Sequence, residues 1–467
     1  MSPKPDKLDH VLAQHLERRR ARGLLRKLTT VPAGMIDFSS NAYLSLSTHA
    51  PVRTAFLAAL QGLATTGSPL LGSGGSRLLD GNSPQAESLE DKIAEFHNAP
   101  AGLLFNSAMD ANLGLFGCVP QPGDAIVYDE LIHASVHDGM RLSRAGRKIP
   151  FAHNCVWTCK ESSKPQDQEM LDSLEGVLQG LQSGDGGQQF TSGKRNVFIA
   201  VEGVYSMDGD VVPLTEAVKC VEENLPQRNG YIIVDEAHSV GVFGQKGQGL
   251  TCQLGLEERV WARVMGFGKA MSCSGGMCHY FIVTITQMML TPSSMSGIVL
   301  CSKTTRSYLI NYARSLIYTT AMTIPSLTAI QVTYNFIMSG QAEPLLRHLR
   351  QITLQTHKLL VDLCLRLSPP KHVLYINTAE PKSPIIPVFT SHPRSLAQQC
   401  QRQGFMVRPI VAPTVPKGSE RIRVCLHAGN TLEQVKGLVE AVETWMIAQS
   451  LEPVHPVRHS PLQKSKL

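Results

Sequence analysis

Apolar residues fall along the chain in two alternating kinds of run. Short β-rich runs, among them Leu103–Phe105, Asp124–Tyr128, Asn196–Val201, Tyr231–Val234 and Ile298–Cys301, lack polar alternation. That pattern predicts strands buried on both faces of a parallel or mixed sheet. Between them, Glu87–Phe96 and Thr215–Glu223 have helical spacing, and a final helix from Asn430 or Thr431 aligns Leu432, Val435, Leu438, Val442 and Trp445 on one face. Strand, helix and strand over Asn196–Asp235 make a βαβ unit, so the expected fold class is α/β. Leu16–Leu28 reads as a basic amphipathic helix, and Lys160–Gln168 and Gln182–Lys194 read as surface loops. Alternation places Arg421 and Arg423 on one face of a strand.

A length of 467 residues allows two or three domains, and 43% hydrophobic with 18% charged residues is ordinary for a globular enzyme. The net charge of +6 is small for this length, and no basic stripe with interleaved aromatics points to nucleic acid. Eleven scattered cysteines indicate a reduced compartment, since Cys155 and Cys159 lack the second pair that a zinc site needs. No signal peptide is expected at the polar start, and the uncharged run Tyr280–Leu290 is too short to span a bilayer.

Candidate chemistry concentrates between Tyr231 and Gly276. The strand Tyr231–Val234 closes on Asp235, with His238 three residues on, where ligands of α/β proteins sit. Lys269 follows among small residues that leave room for something flat beside its amine. A carboxylate that keeps a pyridine nitrogen protonated, with a lysine that forms a Schiff base, is what pyridoxal phosphate chemistry requires. Read singly, the Asp is equally a cap and the Gly-Lys-Ala means nothing.

With the blocks around them, these motifs make the chain resemble the α-oxoamine synthases, fold-type I pyridoxal-phosphate enzymes built like aspartate aminotransferase, over Leu16 to Trp445. The resemblance implies an N-terminal helical segment (1–65), a large mixed-sheet cofactor domain (66–323), a small α+β C-terminal domain (324–450) and a flexible tail (451–467). It implies pyridoxal 5'-phosphate on Lys269, Asp235 at the ring nitrogen, His133 of Ile132–Val136 stacked on the ring, and His238 and Ser206 at the phenolic oxygen. Asp208 and Asp210, in the matching Ser206–Asp210 block, read as turn residues. The start of a helix at Ala108 and Met109 would take the phosphate through backbone N–H groups. The family has Gly and an aromatic there, and Thr where this chain has Gly266, so a phosphate hydrogen bond is lost. Asn41, from a block resembling Asn-Asp-Tyr-Leu-Gly-Leu, and Arg423, after Pro413–Pro416, would bind the amino-acid carboxylate. Arg26 is a weaker candidate for an acid or CoA phosphate. The glycine-rich loop Gly72–Arg77 implies an obligate homodimer, each loop reaching its neighbour's site. The implied reaction condenses an amino acid with an acyl-CoA, releasing CoA and CO2.

Two features lie outside that pattern. Met277–Ser296 interrupts the passage from Ser274-Gly275-Gly276 to Ile298-Val299-Leu300. Its ends can be encoded by splice-site sequences, so a retained short intron or gene-model error is expected over a genuine apolar loop. The polar, proline-rich tail ends in Ser465-Lys466-Leu467, a peroxisomal address read by the import receptor. Without that address the expectation is cytoplasmic. Since peroxisomal β-oxidation supplies dicarboxylic acyl-CoA, the address favours L-alanine with pimeloyl-CoA over glycine or serine with other acyl-CoAs. A catalytically impaired isoform or partner subunit is the contrasting expectation.

Overall fold

The apolar runs pair edge to edge as strands in a computed structural model that describes residues 6–22, 24–26, 28–65, 70–158, 172–273 and 296–451. In chain order the strands are β1 (Ile36–Asp37), β2 (Ala101–Phe105), β3 (Ala125–Asp129), β4 (Arg147–Phe151), β5 (Val197–Glu202) and β6 (Gly230–Asp235). There follow β7 (Ala262–Gly266), β8 (Gly297–Cys301), β9 (Ile385–Phe389), β10 (Phe405–Met406), β11 (Arg408–Ile410) and β12 (Arg421–Cys425). Seven of them form one sheet in the order β2-β8-β7-β6-β5-β3-β4. Only β8 runs antiparallel to its neighbours, so the sheet is mixed.

Both faces are covered, as unalternated strands require. Ile126, Phe198 and Ile233 pack on one face against Leu115 and Phe116 of the helix Ala108–Cys118 and Val136 and Met140 of the helix Ala134–Leu142. Val127, Ile199 and Val234, one residue further along, pack on the other face against the helices Leu174–Ser183 and Leu214–Asn224.

The C-terminal part contains the antiparallel sheet β11-β12-β9 and the helices Glu343–Leu367, Pro393–Arg402 and Leu432–Leu451. A single core joins it to the large sheet, with Leu104, Met265 and Phe267 in one cluster with Ile386, Val424 and Val435. The N-terminal segment is tied to this C-terminal part, because β1 pairs parallel with β10.

Local differences from the sequence reading have physical causes. The N-terminal helix is Lys7–Ala21, exposed throughout, with Arg18, Arg19 and Arg20 in its last turn, where they complement the helix dipole. Gln182–Lys194 is not all loop: a one-turn helix, Gln188–Thr191, buries Phe190. Leu432 begins its helix and is exposed, while Val435, Leu438, Val442 and Trp445 are buried as expected. Among the described residues no helix is long and apolar enough to cross a membrane. Among them also, no group of three or more His, Cys, Asp or Glu could hold a metal. Cys159, Ser274–Gly276, 277–295, and the tail with Ser465-Lys466-Leu467 lie outside the described residues.

Candidate active site

Parallel strands deliver their C-terminal ends to one edge of the sheet. Asp129 ends β3 before His133, Glu202 ends β5 before Ser206, Asp235 ends β6 before His238, and Gly266 ends β7 before Lys269. Phe105 of β2 runs into Ser107, whose side chain caps the helix Ala108–Cys118 by accepting from Asp110 N. The antiparallel β8 returns beside β7, where Phe267 N donates to Ser296 O at 2.8 Å. Cys273 N donates to Phe267 O, closing a tight turn around Lys269.

Asp235 is buried and its carboxylate is held from two sides. Asn112 Nδ2 donates to Oδ2 at 2.8 Å and Ala237 N to Oδ1 at 3.0 Å. The same Asn112 amide donates to Ser135 Oγ, which lies 2.8 Å from His133 Nδ1. Ser135 N also donates to that Nδ1, so the neutral ring of His133 carries its proton on Nε2. Burial, reinforced by Lys269 and opposed by Asp235, lowers the His133 pKa and favours that neutral form. Asn112 thus couples the carboxylate to the stacking histidine, and its own Oδ1 is buried without a partner.

Lys269 is buried, and its side-chain amine makes no hydrogen bond or ion pair among the described residues. Burial lowers its pKa, as does Arg423, against the opposing pull of Asp235 and Glu202. A neutral amine, the form that bonds to a carbonyl, is thereby favoured. Glu202, 4% exposed, pairs in register with Asp235 on the next strand. Burial and then the Asp235 charge push its pKa well up, which favours the protonated carboxyl.

His238 is also buried and held neutral, by burial first and then by Lys269, Arg423 and His133. Its Nδ1 lies 2.8 Å from the Tyr43 hydroxyl, which reaches Asn41 Oδ1 at 3.3 Å. Arg423 Nη2 donates to the same Oδ1 at 3.2 Å, bringing Asn41 and Arg423 together. Arg423 also donates to the carbonyls of Ser206 and Ser39. Ser206 therefore takes part through its carbonyl. The turn carrying Asn41 is pinned from the C-terminal part by His427, whose ring contacts Ser40 Oγ at 3.1 Å and Asp37 O at 3.0 Å.

Asp208 and Asp210 are more than turn residues. Asp208 pairs with the buried Arg421, and Asp210 holds His153 and Asn154. Arg26 makes no ion pair among the described residues.

These residues fit a pyridoxal phosphate. Asp235 supplies the carboxylate and Lys269 the amine, while the N–H groups of Ala108 and Met109 have no acceptor among the described residues. The two departures at the phosphate end are neighbours. A Cβ added at Gly266 would sit 3.0 Å from Ala237 Cβ and 3.4 Å from Ala108 Cβ, so the extra methyl of Ala108 borders the space that the missing threonine would fill.

Sequence reasoning missed Asn112, Glu202, Tyr43 and His427 as parts of the site. Tyr43 stands beside Asn41 in the motif already singled out, and Glu202 at the end of a recognised strand. Asn112 lies one helical turn past Ala108, an asparagine in an apolar helix that only a buried partner explains.

The family model for class I and II aminotransferases matches residues 33–442. An 8-amino-7-oxononanoate synthase of Emericella nidulans is 48% identical over 448 residues, 96% of this chain and 98% of that protein. The aminoacyl transferase sphA of Aspergillus fumigatus is 37% identical over 419 residues, 86% of this chain and 79% of its own. A solved serine palmitoyltransferase of Sphingomonas wittichii has the same fold, with a TM-score of 0.72 and 24% identity over 96% of this chain and 99% of that one. Pyridoxal 5'-phosphate is the cofactor of this group, and the residues above would hold it. A sheet edge with this donor set and these relatives places the chain in the pyridoxal-phosphate-dependent α-oxoamine synthase family, within the class I and II aminotransferases.

Proposed function

We propose that the chain condenses L-alanine with pimeloyl-CoA to give 8-amino-7-oxononanoate, CoA and CO2, a step of biotin biosynthesis. The observation that carries this reading is the 48% identity to the Emericella nidulans synthase across 96% of the chain. Arg423 and Asn41 would orient the amino-acid carboxylate, and His133 would cover one face of the cofactor ring. Asp235 would keep the ring nitrogen of pyridoxal phosphate protonated, and His238 would lie on the side of its phenolic oxygen. The cofactor supplies a sink for the electron pair left on Cα. Lys269, whose pKa burial lowers toward the neutral amine, would accept the Cα proton. The alanine carbon then attacks the thioester carbonyl, CoA leaves with the sulfur pair, and loss of CO2 leaves a carbon that is reprotonated.

A second reading is another α-oxoamine synthase activity, in which glycine or serine reacts with a different acyl-CoA; the 37% identity to an aminoacyl transferase, sphA, keeps the substrate open. An impaired isoform, caused by Met277–Ser296, Gly266 and Ala108, stands as the contrasting reading. A homodimer is supported by the exposed apolar Leu71 and Leu79, which flank the Gly72–Arg77 loop. Peroxisomal import is supported by the terminal Ser465-Lys466-Leu467.

The test is absorbance of purified protein with added pyridoxal phosphate, for wild type and Lys269→Ala, followed by alanine, glycine and serine titrations and assays with pimeloyl-CoA. A visible band that needs Lys269, with 8-amino-7-oxononanoate formed only from alanine, is expected. A band without product would overturn the substrate assignment, and no band would point to the impaired isoform.

A further inference from the structure

Between the ends of β3 and β5 lies a cluster that the reaction does not use. His153 Nδ1 is 2.8 Å from Asp129 Oδ1, and its Nε2 is 2.5 Å from Asp210 Oδ2. The Tyr205 ring meets the imidazole edge-on at 4.5 Å between centroids. With a carboxylate on each nitrogen, both nitrogens are donors, so the imidazole is a cation bridging two anions.

The two ends of this bridge are held unequally. Asp129 keeps other partners: Leu131 N donates to Oδ1 at 2.9 Å and Asn154 N to Oδ2 at 2.9 Å. Among the described residues, Asp210 Oδ2 has only Asn154 Nδ2 besides His153, and its buried Oδ1 has no partner. Loss of His153 would therefore leave the turn toward His133 largely intact and take one side-chain support from the turn that carries Asp210, which still closes on itself through Tyr205 N to Asp210 O and Gly209 N to Tyr205 O.

That turn, Ser206–Asp210, is the surface on which the C-terminal part is seated. Ser206 O accepts from Arg423 Nη1 at 3.0 Å, Asp208 pairs with Arg421, and Gly209 O accepts from Ser383 Oγ at 2.6 Å. Gly209 has φ +74°, and a Cβ there would come within 2.4 Å of Ile385 O, so the turn and β9 meet backbone to backbone. Arg423 itself lies in the central strand of the C-terminal sheet, and its fork is aimed by what it meets across the domain boundary.

We propose that His153 is a positioning residue: clamped between Asp129 and Asp210, it fixes the Ser206–Asp210 turn against which Arg423 is set, and so governs affinity for the amino-acid carboxylate. This rests on the reading of Arg423 as the carboxylate-binding fork. The bridge acts on one substrate and not the other, because the turn touches Arg423 while Asp235, Lys269 and the Ala108 helix start have separate supports.

The experiment compares wild type, His153→Gln, Asp210→Asn and Arg423→Lys, all loaded with pyridoxal phosphate. Amino-acid dissociation constants are read from the change in cofactor absorbance with alanine, glycine or serine, whichever wild type binds. KM for the acyl-CoA and cofactor affinity are measured alongside. His153→Gln and Asp210→Asn are expected to weaken amino-acid binding about tenfold, equivalent to ~1.4 kcal/mol, with acyl-CoA KM and cofactor affinity within about twofold of wild type. If Arg423→Lys weakens binding and His153→Gln does not, the bridge is overturned while the Arg423 reading stands. If Arg423→Lys leaves binding unchanged, the reading of the fork fails and the proposal with it. Equal losses in all three constants, or a His153→Gln protein that cannot load cofactor while Asp210→Asn binds amino acid normally, reduce His153 to general support of the fold and overturn the proposal.

Discussion

Gly266→Thr, the change toward the family pattern, shows how closely the phosphate end is packed. The new Cβ would lie 3.0 Å from Ala237 Cβ, well inside ordinary contact, and 3.4 Å from Ala108 Cβ. Neither neighbour is the end of a flexible side chain, so backbone has to shift, and overpacking of this kind costs ~1–3 kcal/mol. The hydroxyl would return a hydrogen bond to a charged phosphate, worth about 1.5–3 kcal/mol. These terms act on different states: the crowding is present with or without cofactor, whereas the hydrogen bond exists only with it. The apoprotein Tm should therefore fall by several degrees, at roughly 2–4 °C per kcal/mol for a domain of ordinary size. Cofactor affinity should rise little, because opening the space costs part of what the hydroxyl supplies. Adding Ala108→Gly removes the contact at 3.4 Å but not that with Ala237. The double variant should recover part of the Tm and bind cofactor about tenfold more tightly than Gly266→Thr alone, a coupling of ~1.4 kcal/mol. Differential scanning fluorimetry of the apoproteins and absorbance titration with pyridoxal phosphate measure both quantities. Additive effects of the two substitutions, or an unchanged Tm for Gly266→Thr, would refute the reasoning.

Asn112→Ala removes the donor to Asp235 Oδ2 and strands a buried carboxylate oxygen, which costs ~1–3 kcal/mol. Pyridoxal phosphate titration should show roughly tenfold weaker binding, and an unchanged affinity would mean that Asn112 is bystander packing. For His153, burial opposes the charge, but hydrogen bonds and charges of Asp129 and Asp210 outweigh it and raise the pKa from 6.5 to about 10. A raised folded pKa stabilises fully below the unfolded value and is lost as pH rises through the folded one. The stability gap between wild type and His153→Gln in urea melts should be largest near neutrality and shrink toward pH ~10, while a gap constant across that window would contradict a charged bridge.

What the sequence revealed, and what it hid, follows from how each residue signals. Asp235 and Lys269 were legible because an unbroken apolar strand and a run of small residues surround them, a contrast that survives without coordinates. The strands β5 and β6 and the helix between them were legible for the same reason. Asp208 and Asp210 looked like turn residues because a turn is where they are, and nothing local shows that Arg421 and His153 arrive from elsewhere in the chain. Asn112 is one polar residue in an apolar helix, and its meaning depends on Asp235, which lies far away in sequence. Phe190 gave no helical signal because one turn is too short to show a period. The strand pairing that helps join the N-terminal segment to the C-terminal part is β1 with β10, two residues each, too brief for any pattern to register.

The turn around Lys269 has a consequence for chain length. Cys273 and Ser296 are both hydrogen-bonded to Phe267, so the ends of the intervening segment are fixed by the strand pair itself. The closure entropy of a flexible loop grows by only about 0.6 kcal/mol for each doubling of its length. A transcript lacking the codons for Met277–Ser296 would also lose Ser296, so Gly276 would have to supply the carbonyl that Phe267 N meets, while Cys273 N keeps its bond to Phe267 O.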